Sequence, residues 1–249
     1  MRVLQVTVLV VFGFILQACA TTEKVDVKQS EKSSRINVEL GITYMKEGKY
    51  NTAMDRLQKA IRQDPGNPLA YSSMALLNMR LQQLDEAEAN FEKAVKLAPD
   101  NSSIRNNYGA LLCKRKDYKQ AQDQFMQAIK NPLYKTPEHA YLNAGKCTED
   151  KAESEKYFRA SLRANPLFPG ALLEMARLSL ELKRYLPARA YLQRFHAVQS
   201  PVAASLWVSI QAEKMLGDQD TMQSHALLLQ GKFPDSEETR KYLQWKQDE

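Results

Sequence analysis

Apolar and polar positions divide the chain into two regimes. Val3 to Leu16 form a mostly apolar run that breaks off at Cys19, and the polar stretch ATTEKVDVKQSEKSS follows it without a sustained apolar period. From residue 34 onward, small and apolar residues recur at helical spacing, and the whole pattern repeats every 34 residues. Pro65 and Pro99 keep that interval, as do Gly41, Ala75 and Gly109, Ala53, Ala87 and Ala121, Leu57, Phe91 and Phe125, and Ala60, Ala94 and Ala128. Each period predicts a helix A, a tight turn, a helix B and a proline-marked turn to the next unit. The small residues stand where two helices cross, because a larger side chain there would separate the backbones. The Leu or Phe of helix B fills the layer between neighbouring units. One such unit cannot bury both of its faces, so a core requires stacking.

The stretch LGITYMKEGKYNTAMDRLQKAIRQDP resembles the tetratricopeptide repeat. Six units follow, at about 34–67, 68–101, 102–135, 138–168, 169–202 and 203–235. The resemblance implies an all-α fold, a right-handed superhelix of about six helix-turn-helix pairs with a C-terminal capping helix over 236–249. The fourth unit is irregular: Gly145 and Phe158 are thirteen apart where Gly109 and Phe125 are sixteen apart. That difference predicts the loss of about one helical turn from the connection between its helices. Asp235 and Glu238 fit a capping box for the last helix.

Composition narrows the chemistry. Nine glycines in 249 residues leave little material for hairpins or phosphate loops. The net charge of +6 is spread through sequences such as LDEAEANFEKAVKLAPD, where both signs alternate on helix faces. That is the pattern of solvated, salt-bridged helices rather than a nucleic-acid face. There is no Walker loop, GxSxG, CxxC or HExxH, so the sequence predicts no enzyme, no metal, no cofactor and no small-molecule substrate. His139, His196 and His225 fall in three different repeats and read as surface or packing residues.

Tetratricopeptide arrays present a groove to a partner's peptide or helix. In that fold the concave face is lined by helix A, at the second, fifth, ninth, twelfth and thirteenth positions of each unit. Those positions hold Arg35, Val38, Ile42, Met45 and Lys46 in the first repeat and Leu69, Ser72, Leu76, Met79 and Arg80 in the second. Six of the ten are apolar, which fits either an exposed partner site or a strip covered by neighbouring helices. Cys113 and Cys147 fall on helix A of adjacent repeats. In an oxidising compartment they are candidates for a disulfide, the alternative being two buried thiols.

The N-terminus carries its own resemblance. Arg2 and the apolar run form a secretory signal, too short for an ordinary transmembrane helix of ~20 residues. Leu16-Gln17-Ala18-Cys19 resembles the bacterial lipobox, with Gln17 in place of the usual small or β-branched residue. The resemblance implies a signal peptide over 1–18, acylation of Cys19 as the only attached group, and a flexible lipidated tether over 19–33 before the repeat domain of 34–249. Ala20 is not the aspartate of inner-membrane retention, which implies an outer-membrane destination. Multiple acyl chains give stable anchoring where one is marginal.

Finally, NNYGALLC at 106–113, NPLY with Pro137, NAGKC at 143–147, SLWVSIQAEKMLGD at 205–218 and FPDSEE at 233–238 together resemble the PilF/PilW family. These are type IV pilus biogenesis lipoproteins of Gram-negative bacteria. The resemblance implies a chain anchored in the outer membrane on its periplasmic face. Its partners would be the membrane lipid and the pilus secretin, whose localisation and multimer assembly it would promote as a pilotin. The alternative from the same repeats is a lipoprotein scaffold for peptidoglycan enzymes or outer-membrane protein assembly.

Overall fold

The computed structural model describes residues 26–247; the apolar leader and Cys19 lie outside the described residues. Among the described residues every regular element is an α-helix, thirteen in all. No helix among them is long and apolar enough to cross a membrane. Residues 26–46 form α1. It is followed by α2 (Tyr50–Gln63), α3 (Pro68–Arg80), α4 (Leu84–Leu97), α5 (Ser102–Lys114), α6 (Tyr118–Lys130) and α7 (Pro137–Lys146). The remainder are α8 (Lys151–Ala164), α9 (Pro169–Glu181), α10 (Tyr185–Val198), α11 (Ala203–Leu216), α12 (Gln219–Lys232) and α13 (Glu237–Gln247). The chain divides into two compact units after Lys116, in the turn between α5 and α6.

In the first unit, buried Ala53, Leu57 and Ala60 form one stripe of α2, and Ala87, Phe91 and Ala94 form the same stripe of α4. A Cβ on Gly41 would lie 2.7 Å from Leu57 Cγ, so only glycine lets α1 and α2 cross this closely. In the second unit Gly145 plays this part, where a Cβ would meet Phe158 at 2.6 Å. Polar side chains close the helix starts. Asn67, Asn101, Asp117, Asp150 and Asp218 each accept a backbone N–H of the following first turn.

Three expectations change. Residues 26–33 belong to α1, so the flexible tether cannot extend to residue 33. The helix is held there by hydroxyl donors. Ser30 Oγ donates to the Gln63 carbonyl at 2.6 Å, and buried Ser34 Oγ donates to that of Ala60 at 2.9 Å. The Gln63 carbonyl ends α2 with no partner inside the helix, and that of Ala60 accepts Ser34 Oγ in addition to the Asp64 N–H that closes the helix, so the serines of the polar stretch act as fasteners. In the fourth repeat the missing turn comes from helix A itself. Helix α7 has 10 residues where α3, α5 and α9 have 13, whereas its connection to α8, residues 147–150, is one residue longer than the three that follow each of those helices. Asp150 caps α8, and Ser154 Oγ on α8 donates to the Gly145 carbonyl at 2.9 Å. The last helix is capped by Ser236 rather than by Asp235 and Glu238: Ser236 Oγ accepts the Thr239 N–H at 3.1 Å.

Helix α13 closes the second unit. Tyr242 packs into a core of Leu206, Ile210, Ala226 and Leu229, and the Trp245 ring stands edge-on to Trp207 with centroids 5.8 Å apart. Lys214 Nζ lies 4.2 Å from the Trp245 ring centre, covering the end of the stack with a cation–π contact. Cys113, in the last turn of α5, and Cys147, which caps α7, are both disulfide-bonded.

Candidate interaction surface

The expected groove residues separate into floor, rim and core. Val38 and Met45 are corrections, because both are buried. Val38 packs with Ala60 and Ala70, and Met45 packs with Ala53, Leu57, Met74 and Leu77. The fifth and twelfth positions of the first repeat, on α1, face α2 and α3 together, so the next repeat covers them. Ser72 is also buried and donates back to the Leu69 carbonyl. Ile42, Leu76 and Met79 are partly exposed and form an apolar floor. Leu69 stands 48% exposed at the start of α3. Arg35, Lys46 and Arg80 are exposed.

The position of Leu69 is fixed by a relay of hydrogen bonds. Asn67 accepts the Leu69 N–H at 3.0 Å, donates to Ser34 Oγ at 2.9 Å, and Ser34 in turn donates to the Ala60 carbonyl. Helix α3 is thereby tied to both α1 and α2 at the residue where Leu69 leaves the core. From Leu69 to Arg80 the helix runs ~16 Å, enough to cross one helix of ~10–12 Å diameter.

The second unit holds a polar cluster. On α11, Ser205, Ser209 and Glu213 follow one another at intervals of four and are all buried. Each has a partner on a flanking helix. His196 Nε2 on α10 lies 3.1 Å from Ser205 Oγ, His225 Nδ1 on α12 lies 2.7 Å from Ser209 Oγ, and Arg189 on α10 makes a two-pronged ion pair with Glu213. Arg189 also reaches Asp218 at 3.3 Å. The two imidazoles come within 6.0 Å of one another, bordering a cavity of about 380 Å³. Burial lowers the pKa of both, and the neighbouring His225 lowers that of His196 further. For His225 the carboxylates of Glu213 and Asp218 oppose the shift.

Ser209 and His225 have the spacing of a nucleophile and its base, but Ser209 is buried in the middle of a helix, where the backbone amides already serve the helix and offer no oxyanion donors. The cluster is best understood as a satisfied polar seam. Sequence position had separated His196 and His225, yet helices B of successive repeats both lie against the intervening helix A. The legible signal was the stripe of Ser205, Ser209 and Glu213 on the otherwise apolar SLWVSIQAEKML. His139 stays apart, on α7, with its ring edge-on to Phe168 at 4.7 Å. Among the described residues no group of three or more His, Cys, Asp or Glu could hold a metal ion.

Comparison with known proteins gives the same repeats. Family profiles described as tetratricopeptide or TPR repeat match residues 41–82, 68–131 and 148–201. The chain is 30% identical over 208 residues to the type IV pilus assembly protein PilF of Pseudomonas aeruginosa, covering 82% of each. A solved structure of Pseudomonas aeruginosa PilF superposes with a TM-score of 0.76 at 28% identity, covering 86% of this chain and 98% of that one. The crystal structure of PilW, described as a widely conserved type IV pilus biogenesis factor, gives 0.75 at 32%, covering 84% and 98%.

Proposed function

Because the chain belongs to the PilF/PilW family of tetratricopeptide proteins, we propose that it is the pilotin of a type IV pilus, binding the outer-membrane secretin and promoting its localisation and multimer assembly. The observation that carries this reading is the match to PilF along 82% of both chains, which spans the repeats of both units. The partly exposed floor of Ile42, Leu76 and Met79, with Leu69 beside it, is the binding surface in this proposal. Acylation at Cys19 places the array on the periplasmic face of the outer membrane. The chain acts by binding, not by catalysis.

The test is genetic and biochemical. Deleting the gene should abolish secretin multimers and surface pili, and the wild-type gene should restore both. Leu69→Asp is the informative substitution, because Leu69 lies half outside the core and its loss leaves the packing of α3 intact. Retention of multimers in the deletion strain would refute the reading. We also propose that Cys113 and Cys147 are each other's disulfide partners. Peptide mapping without reductant should find that one linked pair, and two alkylatable thiols in native protein would refute it.

A further inference from the structure

Helices α1, α3 and α5 each end on a cation: Lys46, Arg80 and Lys114, at intervals of 34 residues. All three are exposed. Among the described residues neither Lys46 nor Arg80 lies within ion-pair distance of a carboxylate, although other cations of the same unit do. Arg115 meets Asp85 and Glu88, and Lys49 meets Glu47. Lys114 is steadied by a neutral acceptor, donating to Gln82 Oε1 at 2.8 Å in the turn that follows Arg80. The equivalent places in the second unit are filled otherwise. Lys146 closes α7 beside Glu174 at 3.7 Å, and Glu181 closes α9 beside Lys151 at 3.1 Å. Charge is thus internally compensated there and uncompensated in the first unit.

Helices that pack side by side lie ~8–10 Å apart, so three like charges at their ends repel one another. A cation in the last turn of a helix does favour the helix dipole. That explanation would apply equally to α9, whose last turn carries no basic residue. What it leaves unexplained is a column kept free of counter-charge beside an apolar floor.

We infer that this column is the electrostatic half of the groove, and that the bound segment of the partner is acidic as well as apolar. Resting on the pilotin reading above, this assigns the chemistry of the secretin segment. Its apolar side chains lie on Ile42, Leu76, Met79 and Leu69, and its carboxylates face Lys46, Arg80 and Lys114. Arg80 serves both halves, since it stands one residue beyond Met79 and on the same face as Leu69 and Leu76.

The experiment measures capture of the purified periplasmic region of the cognate secretin by the full chain in detergent. Three variants are compared with wild type: the triple charge reversal Lys46→Glu/Arg80→Glu/Lys114→Glu, the charge-preserving Lys46→Arg/Arg80→Lys/Lys114→Arg, and Leu69→Asp. The reversal should weaken capture at least about tenfold and remove its dependence on salt, as expected for rim charges that steer association. The charge-preserving variant should stay within about threefold of wild type. If the reversal captures secretin normally while Leu69→Asp fails, the groove stands and the acidic-segment inference falls. Unchanged capture by both would overturn the groove as well. A lower melting temperature with normal capture would assign the column to the helix dipoles alone. Vesicles of anionic phospholipid form the last arm: binding to them that the reversal abolishes, with secretin capture unaffected, would overturn the inference in favour of a membrane contact.

Discussion

Gln82, Lys116 and Lys183 adopt left-handed backbone, with φ of 61°, 67° and 57°, at the point of their repeats where Gly48 and Gly217 stand in two others. A side chain at such a place costs ~1–2 kcal/mol, while glycine loosens the unfolded chain by only ~0.4–1 kcal/mol. Lys183→Gly should therefore raise stability by about 0.5–1 kcal/mol, read as a higher urea midpoint. Gly217→Ala should lower it by a similar amount. A second residue-scale expectation concerns Arg189 and Glu213. The Glu213 side chain is only 3% exposed, so Arg189→Met strands a carboxylate in the core and should cost about 3–5 kcal/mol. Replacing both with apolar residues should cost much less, because the penalty belongs to the unpaired charge. Equal losses in the single and double variants would show that the pair does not act as a unit.

At the scale of elements, helix α11 shows both how much the sequence revealed and where it stopped. Its place in the sixth repeat followed from Trp207, Ile210 and the Gly217-Asp218 turn, since period and residue type are printed in the chain. That its stripe of Ser205, Ser209 and Glu213 would be matched by His196, Arg189 and His225 was not legible, because polar partners obey no period and depend on which helices flank the stripe. The same holds for Val38 and Met45: periodicity placed them on a face of α1, but only the seating of α3 decides whether that face meets water.

A pH dependence belongs to this three-helix group. His196 is faced by Arg189 on its own helix, by Ser205 and Glu213 on α11, and by His225 and Asp218 on the α12 side. Both imidazoles titrate below the ordinary 6.5 because burial disfavours their charged forms. The unfolded chain therefore takes up protons first as pH falls. The stability that they confer while neutral is fully present above 6.5 and is lost as pH drops through their lowered values. Urea midpoints should fall between about pH 7 and pH 5, and hydrogen-exchange protection factors, corrected for the intrinsic pH dependence of exchange, should fall in α10 and α12 over that range. The pair His196→Gln/His225→Gln keeps hydrogen-bonding groups but should flatten the profile. An unaltered slope would assign the acid sensitivity to other groups.

For the whole molecule, the question is what the proposed acylation would add to the proposed binding array. The serines of α1 answer part of it. With the helix beginning by residue 26, only six residues separate Cys19 from the folded array, a reach of at most ~20 Å. Under the proposed acylation, the groove works in a thin layer beside the membrane, where the secretin must assemble. The anchor then contributes effective concentration rather than any contact of its own. Cys19→Ser should leave the chain folded, with unchanged helicity and unchanged capture of the secretin's periplasmic region in solution, while secretin multimers in the outer membrane fall sharply. Overproducing that variant should restore multimers in part, because mass action replaces what tethering supplied. A Gly/Ser insert of about thirty residues after Ala20 lengthens the tether about sixfold and should lower the effective concentration roughly tenfold, an intermediate loss of assembly between wild type and Cys19→Ser. Complete loss of capture by Cys19→Ser in solution would mean instead that the lipid itself is part of the binding surface.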